Sequence, residues 1–131
     1  MKAKRVLEDL ECHDKELSIL FTDDEHMAVL NRQYRGKEGP TDVLSFSMME
    51  DPDGEASPPV FESVMLGDVV VSVDTALREA KDLEESFEGT VDRLMIHGIL
   101  HLLGYDHERS QMDAALMVKE EERLFAVLEN P

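Results

Sequence analysis

From Val91 to Leu103 the chain reads Val-Asp-Arg-Leu-Met-Ile-His-Gly-Ile-Leu-His-Leu-Leu, and a helix drawn through it is polar on one narrow side only. Val91, Leu94, Met95, Ile96, Ile99, Leu100, Leu102 and Leu103 surround the rest. A helix that is apolar nearly all round has to be covered by protein on nearly every side. The other elements must therefore be built around this one, which is expected from about Thr90 to Leu103. The uncovered stripe carries Arg93, His97 and His101, and that is where a cleft can open.

Those elements are legible from period and punctuation. Ala3 to Leu10 predicts a short amphipathic helix with Val6, Leu7 and Leu10 on one side. Glu16 to Thr22 predicts a strand. Asp23 or Asp24 can cap a following helix that runs to about Arg35 and buries Met27, Leu30 and Tyr34. After the break at Gly36 to Pro40, Val43 to Met48 predicts a second strand. Met49 to Ser63, rich in Pro, Asp, Glu, Gly and Ser, reads as a long loop. Leu66 to Val73 predicts a third strand, and its apolar run Val69 to Val73 marks a strand covered on both faces. Asp74 or Thr75 is expected to cap a helix to about Glu85. A last helix, from about Gln111 to Leu128, is expected to pack through Leu116, Leu124, Phe125 and Leu128. The expected fold is one α/β (α+β) domain over residues 1–131, a small mixed sheet of three to four strands with packed helices and a central buried metal-binding helix.

The metal enters through three of the chain's five histidines. His97 and His101 stand four apart, so they share a helix face and can aim their imidazoles at one point. Gly104 can take the left-handed conformation that ends a helix and lets the chain double back to bring in His107. Three neutral imidazoles suit Zn²⁺, whose catalytic sites use three protein ligands and leave the fourth position to water. A lone histidine on an apolar helix is usually a satisfied core residue; three at ligand spacing with a helix-ending glycine between them are not explained that way. A closed structural site would need a fourth ligand, and Cys12 is far off in sequence, so Asp106 or a distant residue would have to serve. The open site is the better reading. The spacing H-x3-H-x2-G-x2-H is that of the metzincin proteases, except that Gly98 stands where they carry their general-base Glu.

Composition narrows the partners. With 131 residues, 42% hydrophobic and 33% charged, the chain can bury a core without staples, and its single cysteine excludes an internal disulfide. No apolar run approaches a membrane span and the first residues do not resemble a signal peptide, so no membrane partner and a cytoplasmic location are expected. A formal charge of −17 repels phosphate and argues against broad nucleic-acid binding; no DNA partner is expected. RNA must be met by a local basic patch or by the metal. Asn31 to Lys37 holds Arg32, Arg35 and Lys37, though basic residues also gather at helix C-termini merely to complement the dipole.

In chain order, Tyr34-Arg35-Gly36-Lys37, Pro40-Thr41-Asp42-Val43-Leu44-Ser45-Phe46, Leu66-Gly67-Asp68 and the run from His97 through Gly104-Tyr105-Asp106-His107 resemble the YbeY family of bacterial endoribonucleases, over about residues 16 to 128. The resemblance implies a single-strand-specific RNase acting in small-subunit ribosomal RNA maturation and ribosome quality control, with single-stranded or ribosomal RNA and the ribosome or its small subunit as partners. It implies one zinc ion on His97, His101 and His107, and a functional Arg35 at the edge of the cleft. It also implies a further strand ahead of the first helix, so the sheet is expected to want an edge strand, and a Pro where this chain has Ser47.

In that frame zinc supplies water acidified to a pKa of about 7. Arg35 can neutralise charge on the phosphate oxygens through its fork of donors. Asp106 can hold an imidazole in the right tautomer, or simply form the turn before His107. Asp68 can be functional or a backbone-capping carboxylate, and Tyr105 is read as packing. Two other classes stand beside the nuclease: a peptidase or other metal hydrolase, suggested by the spacing and weakened by Gly98, and a ribosome assembly factor whose metal is mainly structural, which the acidic charge suits.

Overall fold

A computed structural model describes residues 2–12, 15–47, 65–105 and 110–129, and among them the chain forms five helices and three strands. They are α1 (Lys2–Asp9), β1 (Glu16–Thr22), α2 (Asp24–Arg35), β2 (Val43–Ser47), β3 (Met65–Ser72), α3 (Val73–Asp82), α4 (Phe87–Leu102) and α5 (Gln111–Glu129). The sheet order is β1-β3-β2; β1 runs parallel to β3 and β2 antiparallel to it, which makes the sheet mixed as expected. Met48 and the expected loop from Met49 to Ser63 lie outside the described residues.

The central strand β3 is covered on both faces, and alternation decides which residue goes where. Val69 and Val71 join the main core with Leu94, Ile96, Ile99 and Leu100 of α4, while Val70 turns the other way to meet Met27 of α2 and Leu44. Glu16 pairs with Met65 but Leu17 with Gly67, so Leu66 is an extra residue in β3. The bulge turns Leu66 to the α4 side, where it is fully buried. Gly67 beside it has no room for a side chain: a Cβ would stand 2.4 Å from the Phe46 carbonyl oxygen and 2.8 Å from Leu102 Cδ2. No helix of the described residues is long and apolar enough to cross a membrane.

Several boundaries differ from the pattern-based expectation, each for a local reason. Val73 begins α3 rather than ending β3, because the Ser72 hydroxyl accepts from Thr75 N–H and caps the helix ahead of Asp74. The central helix starts at Phe87, three residues early, because Ser86 accepts from Gly89 N–H and the helix tolerates the glycine in its first turn. In α5 the buried stripe is Met117, Leu124 and Leu128, and Leu116 is exposed. Tyr34 is likewise exposed, its ring 5.0 Å edge-on from Phe46, and Asn31 takes the buried place on α2.

One carboxylate ties the starts of α2 and α3 together. Asp24 pairs with Arg78 at 2.7 Å and accepts from the hydroxyls of Ser72 and Thr75, each at 2.6 Å. The Arg78 guanidinium, then the two hydroxyls, lower its pKa from 3.8 to about 2. A depressed carboxylate stabilises the fold above its unfolded pKa and loses that contribution as pH falls through the folded value. Asp24→Asn is therefore expected to melt below wild type at pH 7, by on the order of 1 kcal/mol for a pair still partly in water. The gap should close between about pH 4 and pH 2. Thermal melts of both proteins across that range check this, and a gap that does not change with pH would refute it.

Candidate functional site

The site is built at the C-terminal half of α4, where the helix rests on the sheet through a glycine. Ser45 Oγ donates to the Gly98 carbonyl at 2.8 Å, and a Cβ on Gly98 would stand 2.7 Å from Val69 Cγ1 and 3.1 Å from Ser45 Oγ. Gly98 is thus the residue that lets α4 lie close on β2 and β3. Its position faces the strands, where a carboxylate acting as general base has no space.

His97 and His101 come out on the open side, half-buried, one turn apart. Their rings meet edge to face with centroids 4.6 Å apart, and their Nε2 atoms are 3.0 Å apart. His97 Nδ1 lies 2.9 Å from Glu121 Oε1 of α5, both side chains about a quarter exposed. Two nitrogens bound to one tetrahedral zinc ion at about 2.0–2.1 Å stand about 3.3 Å apart. Two imidazoles one helical turn apart, with their Nε2 atoms facing each other, are donors of the kind that would hold such an ion. Among the described residues no group of three or more His, Cys, Asp or Glu is set to hold a metal ion. His107, the expected third ligand, and Asp106 lie outside the described residues.

The turn that leads toward them is described. Gly104 has φ +97°, its N–H bonds to the His101 carbonyl at 3.1 Å, and Tyr105 N–H bonds to the Leu100 carbonyl at 3.0 Å. This paired closure ends α4, and Tyr105 packs against the core. A glycine supplies that positive φ without strain.

Arg35 is the last residue of α2 and is exposed. Helix α2 covers the sheet face opposite α4, yet its C-terminus and that of α4 reach the same end of the sheet: Tyr34 stacks on Phe46, and Leu102 lies against Gly67. Gly36 closes α2 in the left-handed conformation, its N–H bonded to the Arg32 carbonyl at 3.1 Å. Asp68 pairs in register with Phe46 and Ser18, and alternation puts it on the α2 side with Val70. The structure does not bring it to the histidines. Arg93, read as part of the same polar stripe, is held toward α3 by Glu85 at 3.0 Å and Glu79 at 3.3 Å.

Glu121 was missed by the pattern. Met117, Glu121, Leu124 and Leu128 follow spacings of four, three and four, so a carboxylate occupies a core-facing position of α5. That stripe was the available signal, hidden inside the charged run Lys119 to Arg123.

Among the described residues, a three-stranded mixed sheet carrying a buried helix with paired histidines on its open side defines a small α+β protein. The family model described as endoribonuclease YbeY matches residues 2–129. An endoribonuclease YbeY of Syntrophotalea carbinolica is 46% identical over 125 residues, covering 95% of this chain and 80% of the relative. One of Aquifex aeolicus is 46% identical over 128 residues, covering 98% and 75%. The solution structure of a Thermotoga maritima protein superposes with a TM-score of 0.64 at 28% identity, over 96% of this chain and 75% of that one. The chain belongs to the endoribonuclease YbeY family.

Proposed function

We propose that this protein is a metal-dependent endoribonuclease that cleaves single-stranded RNA in ribosomal RNA maturation and ribosome quality control. The reading is supported by the two Nε2 atoms of His97 and His101 facing each other at 3.0 Å on the open side of α4, in a chain of the YbeY family. His97, His101 and His107 would hold the ion, read as zinc, which would supply Lewis acidity and an acidified water. The protein's own contribution is positional. Helix α4 presents His97 and His101 from one face, Gly98 seats that helix on the sheet, and Gly104 ends the helix three residues before His107. Arg35, exposed at the same end of the sheet, binds a phosphate oxygen and stabilises charge developing in cleavage.

The net charge of −17 favours a second reading, in which the ribosome or its small subunit is the working partner and RNA cleavage by the free protein is slow. The peptidase reading lacks its base, since Gly98 faces β2 and β3. The protein loaded with zinc should cut unstructured RNA and leave a peptide library intact, with His101→Ala inactive as control. Peptide cleavage, or RNA cleavage that survives His101→Ala, would refute the nuclease site as drawn.

A further inference from the structure

We propose that Glu121 is a positioning residue of the histidine centre, fixing the tautomer and direction of His97 from the neighbouring helix. The inference rests on the reading of that centre as a metal site. A carboxylate only accepts, so at 2.9 Å His97 Nδ1 carries the proton and donates to Glu121 Oε1. A neutral His97 then has its lone pair on Nε2, the atom that faces His101 Nε2 at 3.0 Å. The hydrogen bond thus fixes which nitrogen carries the lone pair for ligation and turns the ring toward its partner.

The carboxylate is itself held in place. It sits between Met117 and Leu124 on the buried stripe of α5, both of them fully covered, so the helix that carries it is anchored by the core. Arg123 adds a tie from α5 to α1, bonding Asp9 at 2.5 Å. Ordinary core packing would put an apolar side chain at position 121. A carboxylate there, aimed across the helix interface at an imidazole, is the arrangement that raises ligand basicity in histidine–metal sites.

The test uses the whole chain with Glu121→Gln and Glu121→Ala. Gln keeps an acceptor oxygen without the charge, whereas Ala removes both. Zinc affinity by chelator competition should fall about 10–100-fold in Glu121→Ala and by less in Glu121→Gln. Nitrogen-15 spectra of the metal-free protein at pH 8, where an ordinary imidazole is neutral, should show Nδ1–H on His97 in wild type and in Glu121→Gln. That signature should be lost in Glu121→Ala. If Glu121 only ties α5 to α4, the variants lower the melting temperature and leave His97 in the same tautomer, and the inference is overturned. A wild-type protein that binds no zinc while its His97 tautomer still depends on Glu121 supports the positioning role and overturns only the metal reading. Should Glu121→Ala not fold, an unreduced zinc affinity in Glu121→Gln overturns the inference.

Discussion

Replacing His97, His101 or His107 with Ala, one at a time, is expected to remove most of the bound zinc and with it RNA cleavage. Each imidazole would supply one of only three protein bonds to the ion, and two ligands hold Zn²⁺ poorly. The loss should exceed the roughly 10–100-fold weakening that follows removal of an outer partner. His97 and His101 are half-buried on the open side of α4 and away from its apolar faces, so the metal-free His101→Ala variant should melt close to metal-free wild type, and His97→Ala somewhat lower because it also loses the bond to Glu121. Metal analysis of the four proteins purified without a histidine tag checks this. Near one equivalent of zinc in all three variants would sink the site.

The second large effect is expected at Arg35. Arg35→Ala should keep fold and metal but lose about 10²–10³ in RNA cleavage, the usual cost of deleting an electrostatic contact to the transition state. Arg35→Lys should recover part of it, because an ammonium cannot form the two parallel bonds of a guanidinium to phosphate. The rival explanation is that Arg35 merely complements the end of its helix, worth a few tenths to about 1 kcal/mol. Gly36 already closes α2 through its bond to the Arg32 carbonyl, and Arg35 is exposed, so little stability should depend on the side chain. Cleavage and melting measured on one Arg35→Ala preparation separate the two. Wild-type cleavage with a lowered melting temperature would favour the helix-end role.

The acidic character of the chain bears on how such an activity is used. At −17, the protein repels a polyanion except where Arg35 and its basic neighbours face it, so RNA cleavage should fall less steeply with added salt than for a basic nuclease with many phosphate contacts.

Much of this protein was determined by sequence alone because the signals were local. The period of β3 and α4, the glycine at 104, a cap at Asp23 or Asp24 and the four-residue spacing of His97 and His101 act through backbone geometry within one or two turns; the elements form with bounds shifted by a few residues, Asp23 is the residue that caps, and the two histidines share a face. What local signals could not decide was competition between neighbours. Ser72 against Asp74 as a cap, Met117 against Leu116 in the core, and Leu66 turned inward by a bulge all depend on which surface arrives opposite. The site shows the same division. Two histidines on one helix face follow from 3.6 residues per turn. That Gly98 is the seat of α4 on β2 and β3, that Asp68 lies on the other side of the sheet, and that Glu121 reaches His97 depend on pairings between residues 22 to 55 positions apart in sequence. No periodicity links such residues; only the packing of α4 between the sheet and α5 brings them together or keeps them apart.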